Sequence, residues 1–83
     1  MPIKKGYILK QLDYDYVIVS DDTKRVILEI NQSAAKIFQE LEQGYLPEDI
    51  AYRLAYQFRI REDILLKDVY EFIDELKEKG IYE

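Results

Sequence analysis

The 83-residue sequence predicts an α+β domain in which a three-stranded antiparallel sheet is followed by three helices. Two observations carry that expectation. Residues 7 to 30 hold β-branched and aromatic segments separated by short polar turns, the pattern of strands. Residues 31 to 83 switch to a helical period punctuated by caps and glycine stops. The connections are too short for crossovers, so the strands form an antiparallel meander with the first and third at its edges.

The first two strands are expected at Tyr7–Leu12 and Tyr16–Ser20, with a turn around Asp13-Tyr14-Asp15. Asp21-Asp22-Thr23-Lys24 forms the next turn, because aspartate side chains bond their own backbone there. The third strand is Arg25–Ile30. Glu29 marks the Ile27/Glu29 face as the wetter one, which turns Val26, Leu28 and Ile30 toward the helices.

Asn31 and Ser33 are both candidate caps for the first helix, which runs to about Glu42 with Ala34, Ile37, Phe38 and Leu41 inward. Gly44 supplies the left-handed stop. Pro47 suits the first turn of the second helix, where its missing amide hydrogen costs nothing, and Glu48 and Asp49 favour the positive helix end. Its buried stripe is Ile50, Ala51, Leu54, Ala55 and Phe58. Glu62 or Asp63 opens the third helix, Gly80 closes it, and Ile81 and Tyr82 fold back onto the core.

The third helix carries a stripe wider than one seam requires. At about 100° per residue, Leu65, Val69, Phe72 and Leu76 fall within roughly 60°, while Leu66, Tyr70 and Ile73 widen the stripe to about 160°. That shoulder either packs beneath a loop or lends itself to a partner. Tyr52 and Tyr56, four apart on the second helix, are either ordinary exposed side chains or a docking patch.

Composition excludes several function classes. Hydrophobic residues at 48% and charged ones at 35% suit one soluble domain spanning residues 1–83. No apolar run reaches membrane-span length and no start resembles a signal peptide, so a cytoplasmic protein without a membrane partner is expected. The opening Met1 and the close soon after Gly80 fit a complete protein. With no histidine and no cysteine, the usual general base, thiol nucleophile and zinc ligands are missing, so neither catalysis nor a metal or cofactor is expected. The three glycines form no phosphate-cradling loop.

Three helices beside a small sheet are winged-helix-like, which raises DNA binding. The net charge of −5, with 10 acids against 6 bases from Tyr45 onward, opposes it. The third helix would have to read DNA with Asp68, Glu71, Asp74, Glu75 and Glu78 on its polar face. An oligomerisation module is a further alternative to an adaptor.

The order of elements, with "RVILEINQSAAKIFQEL", then "LPEDIAYRLAYQF", then "DVYEFIDELKEKGIY", resembles the PqqD-like family of precursor-peptide recognition elements. The resemblance covers Tyr7 to Tyr82. It implies a non-catalytic adaptor that binds the leader of a ribosomally made precursor peptide and presents it to a maturation enzyme. The leader would add as a strand to the third strand, at Arg25, Val26, Ile27, Leu28, Glu29 and Ile30. Its side chains would enter a cleft at Leu66, Val69, Tyr70 and Ile73 of the third helix, with Lys77 placed to meet a leader carboxylate. The free-standing length and tight strand-turn-strand start favour the partner of a lasso-peptide leader protease. A radical SAM enzyme that crosslinks a peptide is the alternative partner.

Overall fold

The computed structural model describes residues 3–83; Met1 and Pro2 lie outside it. Three strands, β1 (Tyr7–Leu12), β2 (Asp15–Ser20) and β3 (Val26–Ile30), precede three helices, α1 (Gln32–Glu42), α2 (Pro47–Phe58) and α3 (Glu62–Glu78). The sheet order is β1-β2-β3, both pairings antiparallel, so β3 is an edge as its short connections require. The expected fold class and element order are those observed.

Leu12 pairs with Asp15, which leaves Asp13 and Tyr14 as a two-residue hairpin loop with Asp13 at φ 52°. Aspartate tolerates that left-handed conformation. The second hairpin closes where the Ser20 amide donates to the Arg25 carbonyl at 2.9 Å. Arg25 therefore ends the turn, and β3 begins one residue later than expected.

The pairing of β3 holds the main departure from sequence alternation. Ile18 faces Leu28 and Val19 faces Val26, so one step along β2 matches two along β3, and Ile27 is the extra residue of a bulge. The bulge reverses the side to which Val26 points. Val26 joins Ile8 and Val19 on the outer face of the sheet and is 52% exposed, although strict alternation turns it inward. Leu28 and Ile30 face the helices as expected, and Ile27, assigned to the wetter face, packs against the core instead.

Asn31 caps α1, its side chain accepting from the Ala34 amide at 2.9 Å. Ile37, Phe38 and Leu41 are buried, but Ala35 occupies the inward position expected of Ala34, which is only half-buried. Past α1, the Gly44 amide bonds Leu41 O and the Tyr45 amide bonds Glu40 O, with Gly44 at φ 91°. This paired arrangement stops the helix and turns the chain into α2. Phe58, placed in the buried stripe of α2, is half-buried at its end, whereas Ile50, Ala51, Leu54 and Ala55 are buried.

One ion pair joins the first two helices across their interface. Glu40, 8% exposed, accepts from Arg53 Nε at 3.0 Å and Nη2 at 3.4 Å, and the guanidinium lies 4.4 Å from the Tyr45 ring centroid. The half-exposed Arg53 keeps water on one side, so the carboxylate is neutralised with only part of the desolvation cost.

The same carbonyl-pairing stop ends α3: the Gly80 amide bonds Lys77 O and the Ile81 amide bonds Leu76 O. It aims Ile81 into the core at 0% exposure, and Ile3 bridges to Tyr82, tying both described ends together.

Glu42 is half-buried at the C-terminal end of α1, and burial raises its carboxyl above the usual carboxylate range. Its charge also meets the negative end of the helix dipole. A raised folded-state value favours the protonated form, so stability from it is full in acid and is lost as pH rises. Glu42→Gln should therefore raise the melting temperature near neutral pH, with the gain vanishing below about pH 4. Melting curves across that range test it; a gain undiminished in acid would exclude ionisation as its cause.

Candidate functional site

Two features meet at the C-terminal end of β3. The first is backbone: β3 is an edge, and among the described residues no strand pairs with its outer side. An open edge presents amide and carbonyl groups to any extended chain that can reach them. The second is a groove of about 290 Å³ that begins at Asn31, the residue after β3. Ala34 and Ile37 of α1 with Ile60, Leu65 and Phe72 supply its apolar lining. Asp68, Glu71 and Glu75 line its α3 wall.

The half-burial of Ala34 now has a reason, since it packs against the core on one side and lines this groove on the other. Phe72 is 5% exposed and belongs to both: it packs in the core and shows an edge to the groove.

The sequence-predicted site residues separate into three groups. Arg25, Val26 and Glu29 are exposed on or beside the edge strand, with Ile27 and Leu28 half-buried. Ile30, Val69 and Ile73 are buried at 8%, 0% and 3% and belong to the core, and none of them lines the groove. Leu66, Tyr70 and Lys77 lie on the flank of α3 away from the groove.

That last placement sets these three residues apart from the groove. With Leu65 as reference, Phe72, Asp68 and Glu75 fall at about −20° to −80° around α3, while Ile73, Leu66, Lys77 and Tyr70 fall at about +80° to +140°. The second flank is already partnered. The Tyr70 hydroxyl donates to Glu48 Oε1 of α2 at 2.7 Å, and the Lys77 ammonium lies 5.5 Å from the Tyr82 ring centroid. The hydrogen bond to Glu48 raises the Tyr70 phenol above its ordinary value by holding its proton. Within the apolar shoulder Ile73 is buried and Leu66 half-buried, while Tyr70 stays 44% exposed with its hydroxyl bonded to α2. Asp68, Phe72 and Glu75, which line the groove, were not among the expected residues because two carboxylates and a core aromatic read as a solvated face and a seam.

A larger hollow of about 720 Å³ lies on the outer side of α2, lined by Tyr52, Arg53, Tyr56 and Gln57. Tyr52 and Tyr56 are 69% and 90% exposed there. It borders no strand edge, so it lacks the backbone groups that make the β3 site fit for an extended chain. Among the described residues no histidine, cysteine, aspartate or glutamate group is arranged to hold a metal ion. Among the described residues no helix is long and apolar enough to cross a membrane.

An open strand edge that runs into a helix-walled groove defines a small domain suited to extended chains. The chain belongs to the PqqD family: the family described as Coenzyme PQQ synthesis protein D (PqqD) matches residues 15–81. Two solved structures share its fold. TbiB1 in complex with the TbiA(beta) leader peptide aligns with a TM-score of 0.81 at 20% identity, covering 100% of this chain and 95% of that one. Lasso peptide synthetase B1 complexed with the leader peptide aligns with a TM-score of 0.81 at 25% identity, covering 98% and 94%. No curated protein matches the chain.

The assignment of Ile73 to the core and Tyr70 to the surface predicts opposite responses to truncation. Ile73→Ala should lose about 2–5 kcal/mol of stability through the cavity it leaves. Tyr70→Ala, at a side chain 44% exposed, should shift the denaturation midpoint far less. Urea unfolding of both variants checks this, and equal losses would place Tyr70 in the core.

Proposed function

We propose that this chain is a non-catalytic adaptor that binds the leader of a ribosomally made precursor peptide and presents it to a maturation enzyme. The leader adds as a fourth strand on the open edge of β3, and its side chains enter the groove walled by α3. The observation that carries this reading is the continuity of the edge with the groove at Asn31. Main-chain hydrogen bonds along β3 supply affinity, and alternate side chains supply selectivity. The half-buried Ile27 and Leu28 anchor β3 to the core, so the edge is held in shape before the peptide arrives. A rigid edge lowers the ordering cost of binding.

Membership of the PqqD family and the two leader-bound structures of the same fold support a peptide partner. Of the two maturation enzymes, the leader protease of a lasso-peptide pathway is favoured, because both of those structures hold leader peptides and one is lasso peptide synthetase B1. A radical SAM enzyme is the second reading, favoured by the description of the family as a coenzyme PQQ synthesis protein. The tyrosine-lined hollow on α2 leaves the enzyme a surface on another element while the leader occupies β3. Neither role asks this chain for a nucleophile or a general base, in keeping with its lack of histidine and cysteine. The site of action is the cytoplasm, where unmodified precursors are made.

Strand addition makes a specific demand on the peptide backbone. In an added strand, alternate amides face the partner and the intervening ones face solvent. Leaders of the precursor peptides encoded beside this chain, N-methylated one residue at a time, should lose about tenfold or more in affinity at alternate positions, a cost of roughly 1.4 kcal/mol. Methylation between those positions should be tolerated. Fluorescence titration measures it. Uniform tolerance, or absence of binding by any such leader, would contradict the proposal.

A further inference from the structure

The peptide site carries a different charge at each end of β3. Beyond Ile30 the groove wall holds Asp68, Glu71 and Glu75, and none of the residues lining the groove is cationic. Glu71 has Lys67 at 3.9 Å, both well exposed, an arrangement that leaves most of its field in place. Asp68 and Glu75 form no ion pair among the described residues. At the opposite end, Arg25 immediately precedes β3, is exposed, and likewise has no ion pair among the described residues. Its neighbour Lys24 is occupied by Asp21 at 3.0 Å. Asp22, exposed in the same turn, offsets part of that charge, so the contrast lies between an acidic groove and a near-neutral turn that offers one unpaired guanidinium.

Direction follows from the sheet. Both existing pairings are antiparallel. A strand that continues the ladder therefore runs opposite to β3, with its N-terminal end at the groove and its C-terminal end beside Arg25. We infer that the site is graded in charge along β3 and selects an extended peptide with lysine or arginine at its N-terminal end and aspartate or glutamate toward its C-terminal end. This rests on the reading that a strand adds to β3. An apolar side chain between the two charges would meet Ala34, Ile60 and the edge of Phe72 in the groove. The five residues of β3 span roughly 16 Å at about 3.3 Å each, so the opposite charges should lie some four to seven residues apart. Complementary charge of this kind sets the register and speeds encounter more than it adds affinity.

The test is selection of random 15-residue peptides displayed on phage against the purified protein at low salt. The enriched peptides are then measured for the protection they give β3 amides against hydrogen exchange. The expected result is peptides that protect β3 and carry the basic-then-acidic order, with affinity about tenfold above the same peptides with the charges exchanged. That ratio should shrink at 1 M salt, where the screening length is about 3 Å. The double variant Asp68→Lys/Glu75→Lys, at solvent-facing positions of α3, should abolish the preference for an N-terminal cation. Peptides that protect β3 without charge order, or with the reverse order, would overturn the graded site while leaving strand addition intact. Selected peptides that never protect β3 would overturn both.

Discussion

The fold depends on how the seam of α3 is buried. Leu65, Val69, Phe72, Ile73 and Leu76 are all at most 5% exposed, and together they fix the rotation of the helix about its own axis. Once that rotation is set, one flank must face the N-terminal end of α2, where Tyr70 meets Glu48. The other flank must then face α1 and the end of β3, where Asp68 and Glu75 form the groove wall. A small domain has few redundant contacts, so a shift in this seam would move both flanks at once. The carbonyl-pairing stop at Gly80 reinforces the setting by sending Ile81 into the same core.

Elements with local causes were legible in the sequence. The Asn31 cap, the glycine stops at Gly44 and Gly80, and Pro47 in the first turn of α2 each act within a few residues, and each lies where its chemistry places it. The edge position of β3 followed from connection length alone. What could not be read was set by contacts distant in sequence. The bulge at Ile27 reversed the side of Val26, and nothing in "RVILEI" marks where a ladder skips a residue. For the same reason Ile27 reads as a wet position beside Glu29 yet packs against the core.

The functional face of α3 shows the limit more sharply. Its apolar shoulder of Leu66, Tyr70 and Ile73 suggested the open side, because unpartnered apolar surface invites a ligand. In the structure Ile73 is buried, Leu66 is half-buried, and Tyr70, though 44% exposed, bonds Glu48 of α2. The open side is instead the one whose wheel positions hold Asp68 and Glu75. Periodicity reports how much of a helix is apolar; it does not report which neighbour covers which part. Only the placement of α1 and α2 decides that. The open edge of β3 was therefore legible in the sequence, whereas the groove beside α3 was not.

The open edge of β3 offers backbone groups that can hold a strand. Backbone pairing requires no particular side chain, which leaves the groove and its charges free to discriminate among peptides. The most direct measurement of this account is a map of backbone amide shifts by nuclear magnetic resonance as a bound leader peptide saturates the protein. The account predicts large shifts at Val26–Ile30 and at Leu65, Asp68, Phe72 and Glu75, with Leu66, Tyr70 and Lys77 nearly silent. Shifts confined to the Tyr70 flank or to Tyr52 and Tyr56 of α2, with β3 unmoved, would contradict it.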